Sequence, residues 1–285
     1  MQKLFNNILV PVDFSRISKR AFEKAIDFAN KYKCNIHLLH VVTFTPMTAM
    51  AMAEGHVFIP YSIIDNQKEL EFQLENLKCK YENQLENKGS IFTHLQKGLW
   101  DESIIDFVLQ NKIDLVMIGL QRKRLHKRKS LFNANRIAEK ISAPVITVPE
   151  NKRLVRLISV LIPITDFLPV KKLMYGVYVA QNDNATIRLL GVEDQNDNIQ
   201  CKKVQHYLKK SFQLIRDNCT VPVEIATTSG RNVAEAINQY TYKNPMDLII
   251  VNPGRQSRMP GLFASFFGNF LQKVSAPPVL TVNPI

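Results

Sequence analysis

The sequence predicts an α/β fold of two tandem, doubly wound domains, and three observations favour this class. Short apolar runs alternate with segments of helical periodicity, which is typical of buried parallel strands joined by crossover helices. The segment Ile-Leu-Val-Pro-Val-Asp-Phe-Ser at 8–15 is echoed by Val-Leu-Ile-Pro-Ile-Thr-Asp-Phe at 160–167, and each half closes on Ser-Ala-Pro before an apolar run. A length of 285 residues suits two domains. We therefore expect domain one at 1–150 and domain two, a degenerate copy, at 151–285.

The first domain is predicted to contain five strands, because five short runs are mainly apolar: Ile8–Val12, Ile36–Val42, Ile91–Leu95, Leu115–Ile118 and Val145–Val148. Helices are predicted at Ser15–Cys34, with Ser15 as N-cap, and at Asp101–Lys112, because apolar residues recur there at three- and four-residue spacing. The second strand is followed by a Met-containing segment, 43–66, and a helix of mixed charge at Gln67–Asn87. The Met-containing segment has two interpretations, a long loop packed over its own domain or an apolar lid over a ligand.

The second domain repeats this alternation of strands and helices. Its strands are predicted at Leu157–Ile162, Thr186–Val192, Val221–Thr227, Leu248–Val251 and Val279–Val282. Its helices are predicted at Pro169–Ala180, Lys202–Arg216, Val233–Lys243 and Phe263–Val274. Strands and helices that alternate in this way form right-handed crossovers, so each domain is expected to hold a parallel sheet with helices on both faces.

Composition and charge narrow the function classes. The four cysteines form no Cys-x-x-Cys pair and have no metal-ligand spacing with His, so reduced thiols and no metal site are expected. No run approaches a length of about 18 apolar residues, and the first strand begins too near the N-terminus to leave room for a signal peptide. We therefore expect a cytoplasmic protein without a membrane partner. The net charge of +12 favours an anionic partner without specifying its class.

A ligand site is expected where the first and fourth strands end. Ligands of open parallel sheets bind beyond the carboxyl ends of the strands, where the strand order reverses. Asp13 follows the first strand and Gly119 follows the fourth, so neighbouring strands would bring both residues to one crevice. A carboxylate can accept hydrogen bonds from an amino group or a hydroxyl, and a glycine turn before a helix can offer N–H groups to a phosphate. This pattern predicts a nucleotide site.

Five motifs of domain one resemble the universal stress protein family: Val10–Ser15, Leu38–Val42, Asp114–Gly119, Ile137–Lys140 and Pro144–Val148. The second half is similar as well, so nearly the whole chain resembles a tandem two-domain (UspA-like) member. The resemblance implies a five-stranded parallel sheet of order 3-2-1-4-5 in each domain, an adenine nucleotide alpha hydrolase-like arrangement. It also implies pairing through the last strands, so we expect Val145–Val148 and Val279–Val282 to form an internal pseudo-dimer. A homodimer is a further expectation.

Nucleotide-binding members of the family carry Gly-x2-Gly-x9-Gly, followed by Ser or Thr, after the fourth strand. Both copies in this chain depart from that motif, because domain one has basic residues in place of glycines and domain two has shifted glycines and a shifted Asp. Adenine nucleotide is therefore the one cofactor expected from the resemblance, and its binding is expected to be weak or lost. The nucleotide-binding positions that the resemblance implies are Asp13, Val41, Gly119, Arg122 and Asn135, and in domain two Thr165, Gly254, Gly268 and Asn269.

A basic loop stands where the glycine motif of domain one would be. Residues 121–129 hold six Lys or Arg and one His, and the basic patch consists of Arg122, Lys123, Arg124, Lys127, Arg128 and Lys129. Three interpretations stay open. The loop is a solvated charge run, it captures phosphate through side chains in place of backbone N–H groups, or it binds nucleic acid or another polyanion. The absence of interleaved aromatic residues counts against single-stranded nucleic acid.

No catalytic motif is recognisable in the sequence. His-Glu-x-x-His, Gly-x-Ser-x-Gly and the Walker phosphate loop are all missing, and Ser15 fits a helix cap better than a nucleophile. We therefore expect a non-enzymatic stress-response or regulatory protein. A polyanion-binding module and an ATP-binding or ATP-hydrolysing member are the two alternatives.

Overall fold

The fold follows the predicted alternation of strands and helices. A computed structural model describes residues 3–43, 61–86, 89–120, 131–150, 156–253 and 277–284, with only the backbone described for 61–66 and 120. The strands in this part of the chain are β1 Asn7–Pro11, β2 Asn35–Val42, β3 Ile91–Lys97, β4 Leu115–Leu120, β5 Val145–Pro149, β6 Ser159–Ile164, β7 Thr186–Glu193, β8 Val223–Ser229, β9 Leu248–Val251 and β10 Val279–Thr281. The helices are α1 Arg16–Tyr32, α2 Tyr61–Glu82, α3 Trp100–Gln110, α4 Ala134–Lys140, α5 Val170–Asp183, α6 Asn198–Asn218 and α7 Val233–Lys243.

The chain divides into two compact units. Unit 1 comprises Met1–Gly119 and Arg128–Asn133, and unit 2 comprises Leu120–Lys127 and Ala134–Ile285. Helix α4 and strand β5, which belong to the first sequence repeat, thus fall within unit 2. The predicted domain boundary near residue 150 is the boundary between the two sequence repeats. The two compact units are defined by contacts instead, so they do not test this boundary, and it stays a prediction.

Unit 1 is built on four parallel strands in the order β3-β2-β1-β4. Strand β1 is central, and its residues Ile8, Leu9 and Val10 are fully buried, as expected for a strand covered on both faces. Helix α1 packs against β1 and β2 because its apolar residues form one face. Its N-terminus is capped by Ser15, whose side chain accepts a hydrogen bond from the N–H of Ser18, as predicted.

The described residues of unit 2 form six strands in the order β5-β10-β9-β6-β7-β8. Strands β6 to β10 are all parallel and follow the order 3-2-1-4-5, which confirms the predicted sheet of the second repeat. Strand β5 adds to the edge of β10 in antiparallel orientation, with Leu280 opposite Ile146. Helix α5 packs on β6 and β9, where Gly176 lets the helix approach the side chains of Ile162 and Ile250.

The central strands of each unit pair over a short distance at their switch point. Strand β1 pairs with β4 at two positions, Ile8 with Leu115 and Leu9 with Val116, although both strands continue beyond them. Strand β6 likewise pairs with β9 only at Val160 with Leu248 and Leu161 with Ile249. The strands of each pair therefore stop hydrogen bonding to each other before their carboxyl ends, at the place where open parallel sheets have a ligand crevice.

Several predicted boundaries differ from the structure. Helix α6 begins at Asn198, four residues before the predicted Lys202, because Asp197 accepts hydrogen bonds from the N–H groups of Ile199 and Gln200. Helix α2 begins at Tyr61, within the segment predicted as a Met-containing loop. The rest of that segment, 44–60, and the predicted helix Phe263–Val274 lie outside the described residues.

Candidate functional site

Asp13 lies at the carboxyl end of β1, where its carboxylate shapes the turn into α1. Its Oδ1 accepts a hydrogen bond from the N–H of Ser15 at 3.0 Å, so the side chain closes a local turn. Phe14 between them adopts a left-handed backbone conformation with φ of 58°. That conformation is unfavourable for a bulky residue, so packing and the hydrogen bond between Asp13 and Ser15 must hold it in place.

Aromatic side chains fill the space beside this turn. The ring of Phe14 lies 4.7 Å from that of His40, and Trp100 packs edge-on against His40 at 5.5 Å. His40 Nδ1 lies 2.7 Å from the carbonyl oxygen of Val12, which assigns the proton to Nδ1 because the carbonyl can only accept. Burial lowers the pKa of His40, although this hydrogen bond and the nearby Asp13 carboxylate act in the opposite direction. His40 is therefore a neutral structural donor.

Gly119 lies near the end of β4, close to the first turn of α1. A Cβ atom built on Gly119 would lie 2.6 Å from the carbonyl oxygen of Ile17 and 2.8 Å from its Cγ2. The glycine is thus required by the first turn of α1, which occupies the space that a side chain would take. Val41, the third predicted residue in this unit, is buried on β2 in register with Gln96 of β3. The structure therefore brings Asp13 and Gly119 to the same helix turn, which covers this end of the sheet.

Asn135 and Arg122 are the other two residues predicted for this site. Asn135 lies in unit 2 on helix α4, where its Nδ2 donates to Glu139 Oε1 at 2.9 Å. Arg122 and the rest of the basic patch lie outside the described residues, and so do Gly254, Gly268 and Asn269. The predicted functions of these residues stay predictions.

The equivalent crevice of unit 2 has different chemistry. Thr165 follows β6 and has a buried hydroxyl with no hydrogen-bond partner in the described part of the chain. Asn252 follows β9 and is 8% exposed; its Nδ2 donates to the carbonyl oxygen of Val282 at 2.8 Å. Asn252 Oδ1 is also buried without a partner among the described residues. Two polar atoms at this strand end therefore lack the hydrogen bonds that buried groups normally make.

Sequence reasoning missed Lys172 at this site. Lys172 lies in the first turn of α5, is 3% exposed and donates through Nζ to the carbonyl oxygen of Pro163 at 2.7 Å. Burial lowers its pKa to about 7. Its Nζ also lies 5.9 Å from the ring centre of Phe167. A signal for the burial of Lys172 exists in the sequence. Lys172 stands three and four residues before Tyr175 and Gly176, which are buried, and this spacing puts all three residues on one face of the helix.

A histidine pair in unit 1 was also missed. His37 Nδ1 lies 3.0 Å from His94 Nε2, and both rings pack near Phe107. The pairing of His37 with Phe92 across β2 and β3 places His94 two residues further along, on the same face. Burial, with the second ring as a smaller cause, lowers the pKa of His37 to about 4, and burial also lowers the pKa of His94. The pair is a partly buried hydrogen bond between neutral rings.

Two classes of site have no support in the described structure. Within the described ranges, no group of three or more His, Cys, Asp or Glu side chains is placed to hold a metal ion. No helix among the described residues is long and apolar enough to cross a membrane. The candidate sites are the ends of β1 and β4, and of β6 and β9, because ligands of open parallel sheets bind at such strand ends.

Comparison with known proteins agrees with this architecture. The family model described as the universal stress protein family matches residues 4–149. Universal stress protein MJ0531 of Methanocaldococcus jannaschii is 28% identical over 154 residues, which are 53% of this chain and 86% of the relative. A universal stress protein structure from Archaeoglobus fulgidus superposes with a TM-score of 0.70 at 16% identity, covering 98% of both chains. The cytoplasmic domain of a prokaryotic cation chloride cotransporter has a similar fold, with a TM-score of 0.52 at 13% identity over 98% of this chain and 96% of that one. The chain therefore belongs to the universal stress protein family.

Proposed function

We propose that this chain is a cytoplasmic, non-enzymatic stress-response or regulatory protein that binds adenine nucleotide weakly or not at all. The closeness of the first turn of α1 to Gly119 carries the proposal, because a Cβ built on this glycine would lie 2.6 Å from the carbonyl oxygen of Ile17. In the nucleotide-binding members that the chain resembles, the first glycine admits close approach of the ligand, whereas here the first turn of α1 lies close to that glycine. A phosphate would have to displace a helix turn that is capped and packed.

The other residues of the unit 1 crevice support the same proposal. Asp13 uses one carboxylate oxygen on the N–H of Ser15, so fewer acceptor positions face a ligand. Phe14, His40 and Trp100 pack together beside the end of β1. An adenine ring entering there would have to displace aromatic contacts, each of which stabilises the fold by roughly 0.5–1.5 kcal/mol.

A non-enzymatic role is supported by how two nucleophilic side chains of unit 1 are used. The Ser15 hydroxyl caps α1 by accepting the N–H of Ser18. The Cys34 thiol is buried, donates to the carbonyl oxygen of Phe5 at 3.2 Å, and has its pKa raised by burial to about 12. Because the thiolate is the reactive form of cysteine, Cys34 is chemically inert at neutral pH.

Calorimetric titration of the full chain with ATP tests the proposal. We expect a Kd weaker than about 10 μM, which corresponds to a binding free energy of about −7 kcal/mol. The variant Asp13→Ala should leave this weak signal unchanged. Tight binding that Asp13→Ala abolishes would contradict the proposal, and ATP turnover with the same dependence would favour the hydrolysing alternative.

Polyanion binding is the second candidate, and it rests on the basic patch of residues 122–129. A solvated basic segment binds nucleic acid through counterion release, so its affinity falls steeply with salt. Neutralising all six Lys and Arg of the patch should then remove binding to a fluorescent oligonucleotide at low salt. Equal binding by the wild-type and neutralised proteins would eliminate this candidate.

A further inference from the structure

Helix α6 of unit 2 presents a strongly basic face to solvent. The helix, Asn198–Asn218, contains five Lys or Arg residues against a single Asp. Its exposed basic side chains, counting the one histidine, form a set that we name the α6 stripe: Lys202, Lys203, His206, Lys209, Lys210 and Arg216. None of these residues belongs to the strand-end sites or to the basic patch of residues 122–129.

The geometry of the helix gathers the stripe on one side. Helix α6 packs on β7 and β8, and its buried residues are Val204, Leu208, Ser211 and Ile215. At about 3.6 residues per turn, the six residues of the stripe fall within an arc of about 140° whose middle lies opposite the buried residues. With a rise of about 1.5 Å per residue, the stripe extends about 21 Å from Lys202 to Arg216.

The positive charge of the stripe is not neutralised by neighbouring acidic groups. Among the residues that the structure describes, no ion-pair partner lies within reach of the four lysines, which are Lys202, Lys203, Lys209 and Lys210. Like charges along one helix face repel each other unless an anion lies against them. The stripe therefore presents its full charge to an anionic partner.

Helix α2 shows that solubility does not require such a face. It is the counterpart of α6 in the first repeat, because each helix follows the second strand of its repeat. Helix α2 has three lysines against five acidic residues, and Lys78 forms an ion pair with Glu75 at 3.3 Å. Mixed charges of this kind are typical of a helix face that is only hydrated. The single sign of the α6 stripe therefore indicates a partner.

The side chains of α6 restrict the class of that partner. From Lys202 to Gln213 every exposed side chain is polar or charged, whereas protein–protein interfaces carry apolar or aromatic anchors near their centre. Tyr207 and Phe212, the aromatic residues of the helix, are half-buried and lie outside the arc of the stripe. Unpaired bases bind by stacking on exposed aromatic rings, so a single-stranded nucleic acid has no platform here.

The shape of the charged surface favours a rod-shaped polyanion over a plane. Exposed carboxylates lie at both ends of the helix, Asp197 at its N-cap and Asp217 in its last turn. A flat anionic membrane would approach these carboxylates together with the lysines. A rod that contacts the middle of the helix meets only the lysines and His206.

We propose that the α6 stripe binds the phosphate backbone of a double-stranded nucleic acid. The lysine ammonium groups donate to phosphate oxygens and release the counterions held there. Contacts to the backbone carry no sequence information, so this binding is independent of sequence. The inference rests neither on weak adenine nucleotide binding nor on the basic patch of residues 122–129, and it fails or holds separately from both.

Fluorescence anisotropy of the full chain with a labelled DNA duplex of about 20 base pairs tests the proposal between about 50 and 200 mM salt. The variant K202Q/K203Q/K209Q/K210Q should bind the duplex at least roughly tenfold more weakly at the lowest salt. Its slope of log affinity against log salt concentration should be shallower by about 3–4, because each neutralised phosphate contributes about 0.9. All four lysines are exposed, so circular dichroism and the Tm should match the wild type.

The matched control K19Q/K68Q/K80Q/K97Q removes the same charge from exposed positions of unit 1 and should retain the wild-type slope. Equal loss in both variants would show that net charge alone attracts the duplex, and it would overturn the proposal. Absence of duplex binding by the wild type would do the same. A wild-type slope in the α6 variant, with binding lost on neutralising residues 122–129, would assign the duplex to the basic patch instead.

Further probes identify the polymer. A duplex RNA of the same sequence distinguishes RNA from DNA as the source of the phosphate backbone. Single-stranded DNA should bind more weakly than either duplex, and the reverse order would contradict the proposal. Vesicles of phosphatidylcholine and phosphatidylserine in equal parts provide the remaining comparison. Binding to these vesicles without binding to a duplex, lost in the α6 variant, would overturn the proposal in favour of a membrane surface.

Discussion

Gly119 determines at the residue scale how α1 meets the sheet. Because a Cβ here would lie 2.6 Å from a backbone oxygen, the helix turn itself would have to move in Gly119→Ala. We expect the free energy of unfolding, measured by urea denaturation, to fall by about 1–3 kcal/mol. Gly176→Ala is the matched comparison, since its nearest atom is the Cδ1 of Ile162 at 2.5 Å. A methyl group at the end of a side chain can rotate away, so the loss should be smaller there. Equal losses would contradict the role given to Gly119.

The His37–His94 pair predicts a pH dependence of stability. The pKa of His37 is about 4 in the folded chain, whereas the pKa of an exposed His is about 6.5. The unfolded chain therefore binds more protons between these values, and stability declines as the pH falls from about 6.5 towards 4. With solvent screening of this half-exposed ring, the decline should be about 1 kcal/mol.

The measurement for this prediction is thermal unfolding of the wild type and of His37→Phe between pH 4 and 7. The Tm of the variant should depend less on pH, because the phenylalanine side chain cannot take up a proton when the chain unfolds. His206→Phe, which replaces an exposed His of α6, should retain the wild-type slope. A wild-type profile in His37→Phe would show that other groups cause the decline.

At the element scale, caps determine where helices begin. Asp197 accepts the N–H groups of Ile199 and Gln200 at 3.0 Å each, so Asp197→Ala should destabilise the protein by about 1 kcal/mol. Asp217→Ala removes an exposed carboxylate from the last turn of the same helix and should not destabilise it. Denaturant midpoints of the two variants provide the measurement. A larger loss for Asp217→Ala would refute the capping argument.

Elements were more predictable than contacts between them. The strands follow from apolar runs such as Val145–Val148, since burial on both faces leaves few polar residues in a central strand. The start of α6 was missed because its first turn, Asn198–Cys201, has no clear apolar periodicity, and the decisive signal was the cap at Asp197. The His37–His94 contact depends on the register of β2 and β3, which neither strand encodes by itself.

The positions of the candidate sites were predictable from the sequence, but the side chains that surround them were predictable only in part. The strand ends just before Asp13 and Thr165 follow from the repeat, because parallel strands present their carboxyl ends at one edge. The closure of Gly119 by Ile17 is a tertiary contact between segments far apart in the sequence, so no local pattern signals it. Lys171 and Lys172 look alike in the sequence, and only the phase of α5 on its sheet buries the second one.

At the scale of the whole molecule, strand β5 is assigned differently by the sequence repeat and by the division into compact units. Strand β5 lies in the first sequence repeat but pairs with β10 in unit 2. A fragment of residues 151–285 would leave that edge of β10 open, and open edges promote association. We therefore expect this fragment to self-associate more strongly than the full chain in analytical ultracentrifugation. Equal association of the fragment and the full chain would show that β5 does not protect the edge. The same pairing supports our proposal that the last strands form an internal pseudo-dimer.

The pairing of β5 with β10 also has a consequence for synthesis of the chain. Strand β5 leaves the ribosome about 130 residues before β10, and at roughly 5–20 residues per second this interval lasts about 7–26 seconds. Throughout that time, one hydrogen-bonding edge of an apolar strand has no native partner. The nascent chain therefore passes through a period in which a chaperone, or a neighbouring copy on the same messenger RNA, competes for that edge with a strand that has not yet been made.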